Sequence, residues 1–201
     1  MPSPNVSPEL WQFLPAVLLG IGLAASSGLR TFLPLLGLAF AAKWEFFGVE
    51  LSQNFAWLGS DTAIYALCAA TVIEFLSDKI PVVDHFLDAV GTFSRPIAGA
   101  LASAAVLNMS DPATAAIIGL IVGAPVAFGV HAAKAGTRGA STATTAGFGN
   151  PILSFLEDIA ALGLTILALA LPILVPFALI LLAFLLFKIF RGARGKLRKT
   201  A

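Results

Sequence analysis

Charge is scarce in this chain. Of 201 residues, 11% are charged and 58% hydrophobic, against about 25% charged in soluble domains. That deficit excludes a soluble enzyme, and the apolar content excludes a disordered regulator. Cysteine is almost missing. Cys68 stands alone and cannot close an intramolecular disulfide, so a secreted disulfide scaffold is excluded. Basic residues are missing from the start of the chain: Met1–Glu9 carries prolines, serines and one acid. A cleaved signal peptide needs a basic n-region, so none is expected. Mean hydropathy is +0.93, the value of a chain whose solvent is mostly lipid.

The charges that are there fall unevenly. Six of the twelve Lys/Arg lie in the last 14 residues: Lys188, Arg191, Arg194, Lys196, Arg198 and Lys199. Residues 1–187 hold six basic against eleven acidic residues, a net of −5. The basic tail reads as cytoplasmic by the positive-inside rule. Its cations also attract anionic lipid. Membrane lipids are thus the expected partners, and nucleic acid is not one. The division expected is a single transmembrane domain over 1–190 and a basic tail over 191–201.

A membrane-crossing helix needs about 20 apolar residues. The charge-free runs are 10–29, 31–42, 62–73, 96–110, 112–133 and 159–187. Of these, 10–29, 112–133 and 159–187 are clearly long enough alone. A first helix over 10–27 meets a break at Ser26-Ser27-Gly28 before Arg30, with Pro34 just beyond. Segment 43–60, with Trp44 and Trp57 among charges, suits the headgroup region. A second helix over 61–79 ends at Pro81. Segment 82–94 reads as a short amphipathic half-helix and 96–108 as a separate apolar piece, its Gly/Ala-rich 96–105 stretch a tight-packing face. Ser110 or Asp111 caps a helix opened by Pro112. The glycine- and hydroxyl-rich 134–151 reads as re-entrant loop. As one helix 152–190 would be about 58 Å long, too long for one crossing. A hairpin turning near Leu171–Pro176 is favoured, with a kinked single helix as the alternative.

The fold expected is therefore all-α: a polytopic integral membrane protein of about six segments, some broken or re-entrant. An inverted repeat is one further reading. Gly28-Leu29-Arg30 and Gly136-Thr137-Arg138 each follow a membrane helix. Each precedes a Phe-Leu-x-Asp, at 75–78 and at 155–158. Duplicated halves with broken helices at the midplane are a transporter arrangement. One copy of 201 residues encloses little space, which favours a homodimer.

Ionisable residues at bilayer depth are costly unless paired or hydrated, so they mark function. Arg30 sits in a helix break, where freed amides and a guanidinium attract an anion. The competing reading is that Arg30 pairs with a carboxylate and locks two helices. A second cluster is Glu74, Asp78, Asp84 and Asp88, with Lys79 and Arg95. The spacing of four puts Glu74 with Asp78, and Asp84 with Asp88, on shared helix faces. Four carboxylates exceed two cations. Protonation, a bound divalent cation, or arginines from other segments would offset the surplus. A third cluster holds His131, Lys134, Arg138, Asn150, Glu157 and Asp158. His131 reads as a hydrogen-bonded helix residue, and Glu157 and Asp158 as carboxylates favoured near a helix N-terminus. No His-Glu-x-x-His, Walker A or Gly-x-Ser-x-Gly occurs, and no catalytic set is assigned.

The stretches Ser27-Gly28-Leu29-Arg30-Thr31-Phe32-Leu33-Pro34, Asp78-Lys79-Ile80-Pro81, Arg95-Pro96-Ile97-Ala98-Gly99, Lys134-Ala135-Gly136-Thr137-Arg138 and Glu157-Asp158 together resemble a small bacterial integral-membrane family. That family is catalogued as a domain of unknown function. The resemblance covers about residues 12–170. It implies a bacterial inner-membrane protein and no activity. The residues themselves favour a small transporter or channel. Its pathway would be lined by Arg30, Glu74, Asp78, Asp84, Asp88, Arg95, Lys134, Arg138, Asn150, Glu157 and Asp158. A structural subunit with charge-stapled helices comes second, and a metal-dependent lipid-modifying enzyme third.

Overall fold

The computed structural model of the chain describes residues 8–77, 81–109 and 111–200, and among these the side chains of 13–77, 88–109 and 111–192. Every regular element among the described residues is helical. The helices are α1 (Pro8–Leu29), α2 (Leu33–Lys43), α3 (Asp61–Ser77), α4 (Pro81–Val106), α5 (Pro112–Ile118), α6 (Ala124–Thr145), α7 (Asn150–Ala170) and α8 (Val175–Thr200). Single π or 3₁₀ turns fill Gly119–Gly123 and Pro172–Leu174, and 3₁₀ turns occupy the 44–60 connection. By length and composition, Pro112–Thr145, Asn150–Ala170 and Pro172–Gly192 can each cross a membrane. Gln53–Gly59 with Asp61–Ser77 makes a fourth only as a span bent by 62°.

Helix α1 is the hub. From Gly22 to Arg30 every residue is buried, as expected of a helix that is apolar all round. It can be surrounded because separate glycines admit separate neighbours. A Cβ at Gly20 would meet the Cα of Ser103 on α4 at 3.2 Å. One at Gly22 would meet the Cβ of Ala168 on α7 at 2.6 Å, and one at Gly28 the carbonyl of Ala127 on α6 at 2.5 Å. Hydroxyls add bonds at these close approaches. Ser26 Oγ donates to Ala161 O at 2.8 Å, and Ser103 Oγ to Gly20 O at 3.0 Å. Such interhelical bonds contribute about 0.6 kcal/mol each in membranes.

The outer helices show burial at helical spacing. On α7 the buried residues are Ser154, Glu157, Ala161, Leu164, Thr165, Ala168 and Leu169. Phe155, Ile159, Leu162 and Ile166 on the opposite face are exposed. A surface this apolar is consistent with contact to lipid tails.

Several expectations are corrected here. Residues 82–94 and 96–108 do not form two pieces; α4 runs unbroken from Pro81 to Val106 with Pro96 inside. One proline removes one helical bond, which packed membrane helices absorb. Nor is 134–151 a re-entrant loop. Helix α6 continues to Thr145 and turns only at Ala146 and Gly147, both at positive φ. The hydroxyls are the reason. Thr137, Thr142, Thr144 and Thr145 each donate back to a carbonyl three or four residues earlier, so they bury their polarity inside the helix. Gly136-Thr137-Arg138 is thus no break, and the two Gly-x-Arg triplets are not structurally alike. The 152–190 stretch is interrupted by the 3₁₀ turn Pro172–Leu174, between α7 and α8. Asp111 is the cap of α5, accepting from the Thr114 hydroxyl and amide. Those bonds, the hydroxyl first, hold its carboxyl below the usual range. Ser110 and Asp78 lie outside the described residues.

Candidate functional site: an ion-paired centre between five helices

The site begins at the α1–α2 break. Arg30 still closes a helical bond to Ser26 O at 2.9 Å. The helix then breaks over residues 30–32, and α2 starts with free amides. Glu74 on α3 accepts them: Thr31 N at 2.8 Å and Phe32 N at 3.2 Å. A carboxylate is favoured there because α2 presents its positive dipole end. The break is indeed an anion site, and the anion is the protein's own Glu74. Glu74→Ala is expected to cost about 1–3 kcal/mol, the range for removing a partner from buried donors. Glu74→Gln, which keeps one acceptor, should cost less. Thermal unfolding in micelles, with hydrogen exchange at Thr31 and Phe32, checks the order. Equal losses for Ala and Gln would contradict the capping role.

Arg30 itself is fully buried. Its Nη2 donates to Ser154 Oγ at 3.0 Å and pairs with Asp158, both on α7. Its guanidinium lies 5.2 Å from the Phe75 ring centroid on α3, a cation–π distance. Of the two readings of Arg30, the structure has the one in which it joins helices.

Helix α6 supplies the next layer. His131, Lys134, Arg138 and Ser141 are buried, at spacings of three and four that share one face. Glu157 on α7 holds two of these cations. Its Oε1 accepts from Arg138 Nε at 3.1 Å and its Oε2 from Arg138 Nη2 at 2.8 Å. Lys134 Nζ is 3.1 Å from the same Oε2 and also donates to Leu29 O at 3.2 Å. The forked Arg–carboxylate contact is the strong form of this interaction.

Asp88 on α4 is held differently. It faces three cations: Arg95 at 3.3 Å, Arg138 at 3.4 Å and Lys134 at 4.0 Å. These contacts are longer than those of Glu157. The Asp88 side chain is 25% exposed, against 7% for Glu157. Arg95 fits beside it because Gly91, one turn earlier, leaves space: a Cβ there would meet Arg95 Nε at 3.0 Å. Arg95 Nη1 also lies 2.5 Å from His131 Nδ1. Arginine can only donate, so Nδ1 accepts and Nε2 carries the proton. Nε2 then donates to Thr92 Oγ1 at 3.3 Å, and that hydroxyl donates to Asp88 O at 3.3 Å. The bonding fixes one imidazole tautomer.

Eight of the sequence-derived residues thus converge: Arg30, Glu74, Asp88, Arg95, Lys134, Arg138, Glu157 and Asp158. Asn150 stands apart at the start of α7, donating to Thr142 Oγ1 at 2.9 Å. Asp78 and the side chain of Asp84 lie outside the described residues. Among the described residues no three His, Cys, Asp or Glu side chains converge as a metal-ligand set. Ser154, Thr92 and Phe75 were missed from sequence. The one usable signal was Ser154, a hydroxyl four residues before Asp158 on the same α7 face.

Mutually paired charges buried between apolar helices define an all-α fold with an ionic core. Its helices are consistent with insertion in a bilayer. The chain belongs to the family described as Domain of unknown function (DUF4126), whose model matches residues 17–192. No curated protein and no solved structure matches it.

Proposed function

We propose that the protein is a small membrane transporter whose ion-paired centre is the pathway for an ion, a small polar solute or a lipid head group. One observation carries this reading. Asp88 is partly exposed, loosely held, and shared by three cations from two helices. A carboxylate so placed can release its cations when protonated, or when another anion competes, because each contact is individually weak. The buried cations then face the incoming charge in a low-dielectric site, where their field is strong. In this reading α1, α3, α4, α5–α6, α7 and α8 are six crossings, with α2 a half-helix. The basic end of α8 lies in the cytoplasm, and the membrane is the bacterial inner membrane.

Asp88→Asn tests it. Purified protein is reconstituted in liposomes, and proton, potassium, chloride and phosphate fluxes are followed. The wild type is expected to carry at least one of these above empty liposomes, and Asp88→Asn to cut that flux at least tenfold. Flux in the variant equal to wild type removes Asp88 from the pathway; no flux from wild type removes transport of these ions.

A structural role is the second reading, favoured by the short, forked Arg138–Glu157 pair. It requires Asp88→Asn to lower stability in proportion to any functional loss.

A further inference from the structure

We infer that the cleft between α6 and α8 is a binding site for one anionic phospholipid, with an acyl chain in the cleft and the phosphate against Arg191. The site lies on the face of α6 opposite Lys134 and Arg138, so it is independent of the transport pathway proposed above.

Two cavities of ≈ 360 Å³ and ≈ 290 Å³ lie between the same two helices. They share Ala133, Ala183 and Leu186 as walls and so form one groove. The helices run in the same direction: Pro125 and Val126 meet Leu179 and Leu182 at one end, and Gly136 and Thr137 meet Phe187 and Phe190 at the other. The α6 wall is floored by small residues. A Cβ at Gly129 would meet nothing within 4 Å, and one at Gly136 only the Phe190 ring edge at 4.0 Å. Water gains little in such a groove, because nearly all of its lining is apolar. Both walls are long enough to span the bilayer, so the groove opens sideways onto lipid tails.

Charge selects the occupant. The groove ends at Phe187 and Phe190, and the exposed Arg191 follows Phe187 by one turn on the same side of α8. In sequence Arg194, Lys196, Arg198 and Lys199 follow. Cations at the headgroup level attract anionic lipid. A second copy of this chain in the groove would bring two such basic segments together, and like charges repel. Zwitterionic lipid fills the cleft equally well but leaves the cations without a net counter-charge.

The protein is purified in nanodiscs of equal phosphatidylglycerol and phosphatidylcholine, and retained lipid is counted by native mass spectrometry. Wild type is expected to retain the anionic lipid at least fivefold over the zwitterionic one, at one per chain. Gly136→Leu and Gly129→Leu, which fill the groove from two positions, should each abolish retention. Arg191→Gln should leave lipid bound at the bulk ratio, and Lys188→Gln, on the opposite face of α8, should behave as wild type. Gly136→Ala, which the groove accommodates, should behave as wild type and controls for folding. Equal retention of both lipids by wild type overturns the proposal. So does enrichment that survives both leucine variants, which would mean that the tail alone gathers anionic lipid. A dimer lost on filling the groove would assign it to a second copy instead.

Discussion

The Glu157→Gln protein is expected to lose about 3–5 kcal/mol of stability, the cost of breaking a buried pair by removing one partner. Glu157 is 7% exposed and neutralises two cations at once, Arg138 through a fork and Lys134 at 3.1 Å. Lys134 is fully buried, so it cannot recover water when the charge opposite it disappears. Glutamine keeps the shape and one acceptor but not the charge, and the loss is therefore electrostatic. Folded proteins hold only about 5–15 kcal/mol in reserve, so the variant should be markedly less stable in micelles. The companion test adds Lys134→Met to Glu157→Gln. Removing the stranded ammonium should restore part of the loss, with a coupling of about 0.5–3 kcal/mol. Unfolding by denaturant in micelles measures Glu157→Gln, Lys134→Met alone and the double variant. Strict additivity would show that the two groups are not an energetic pair.

The sequence made the centre's membership legible and left its pairing hidden. Charges at depth stand out against apolar runs, which is why Arg30, Glu74, Asp88, Arg95, Lys134, Arg138, Glu157 and Asp158 could be picked. Which carboxylate meets which cation depends on packing between distant segments. Glu74 caps amides 42 and 43 residues earlier, and Arg30 reaches α7 at Ser154. No local spacing encodes either. The same limit explains the errors in α4 and α6. Asp88, Arg95 and Pro96 interrupt an apolar pattern and so divided α4 on paper. In the fold these charges face partners on α6, and the helix stays whole. The hydroxyl-rich end of α6 resembled a loop in composition, yet Thr142 and Thr145 bond back into their own helix. The interruption at Pro172–Leu174 was legible from length and proline, because 152–190 as one helix would be longer than one crossing needs.

Gly123→Ala is expected to be costly although it adds one methyl group. A Cβ at this position would lie 2.3 Å from Gly99 O and 2.5 Å from Ser103 Oγ. The obstruction at Gly99 is backbone, and it is reciprocal: a Cβ on Gly99 would lie 2.9 Å from Gly123 O. Neither helix can yield by a rotamer change, so α4 and the Gly119–Gly123 turn must separate. Small residues are what lets membrane helices approach this closely. Overpacking costs typically about 1–3 kcal/mol, occasionally more, and a backbone contact puts this site at the upper end. Gly129→Ala is the control. It lies on the same stretch of chain, its added Cβ would meet nothing within 4 Å, and it should be neutral or slightly stabilising. Equal stability of the two variants in micelles would contradict the close crossing. The consequence reaches the ionic centre. Gly99 is four residues from Arg95 on α4, and Gly123 is eight from His131 on the adjoining helix. Prising the crossing apart lengthens the 2.5 Å contact between Arg95 Nη1 and His131 Nδ1. Gly123→Ala should therefore shift the His131 ring resonances in a nuclear magnetic resonance spectrum, while Gly129→Ala leaves them in place.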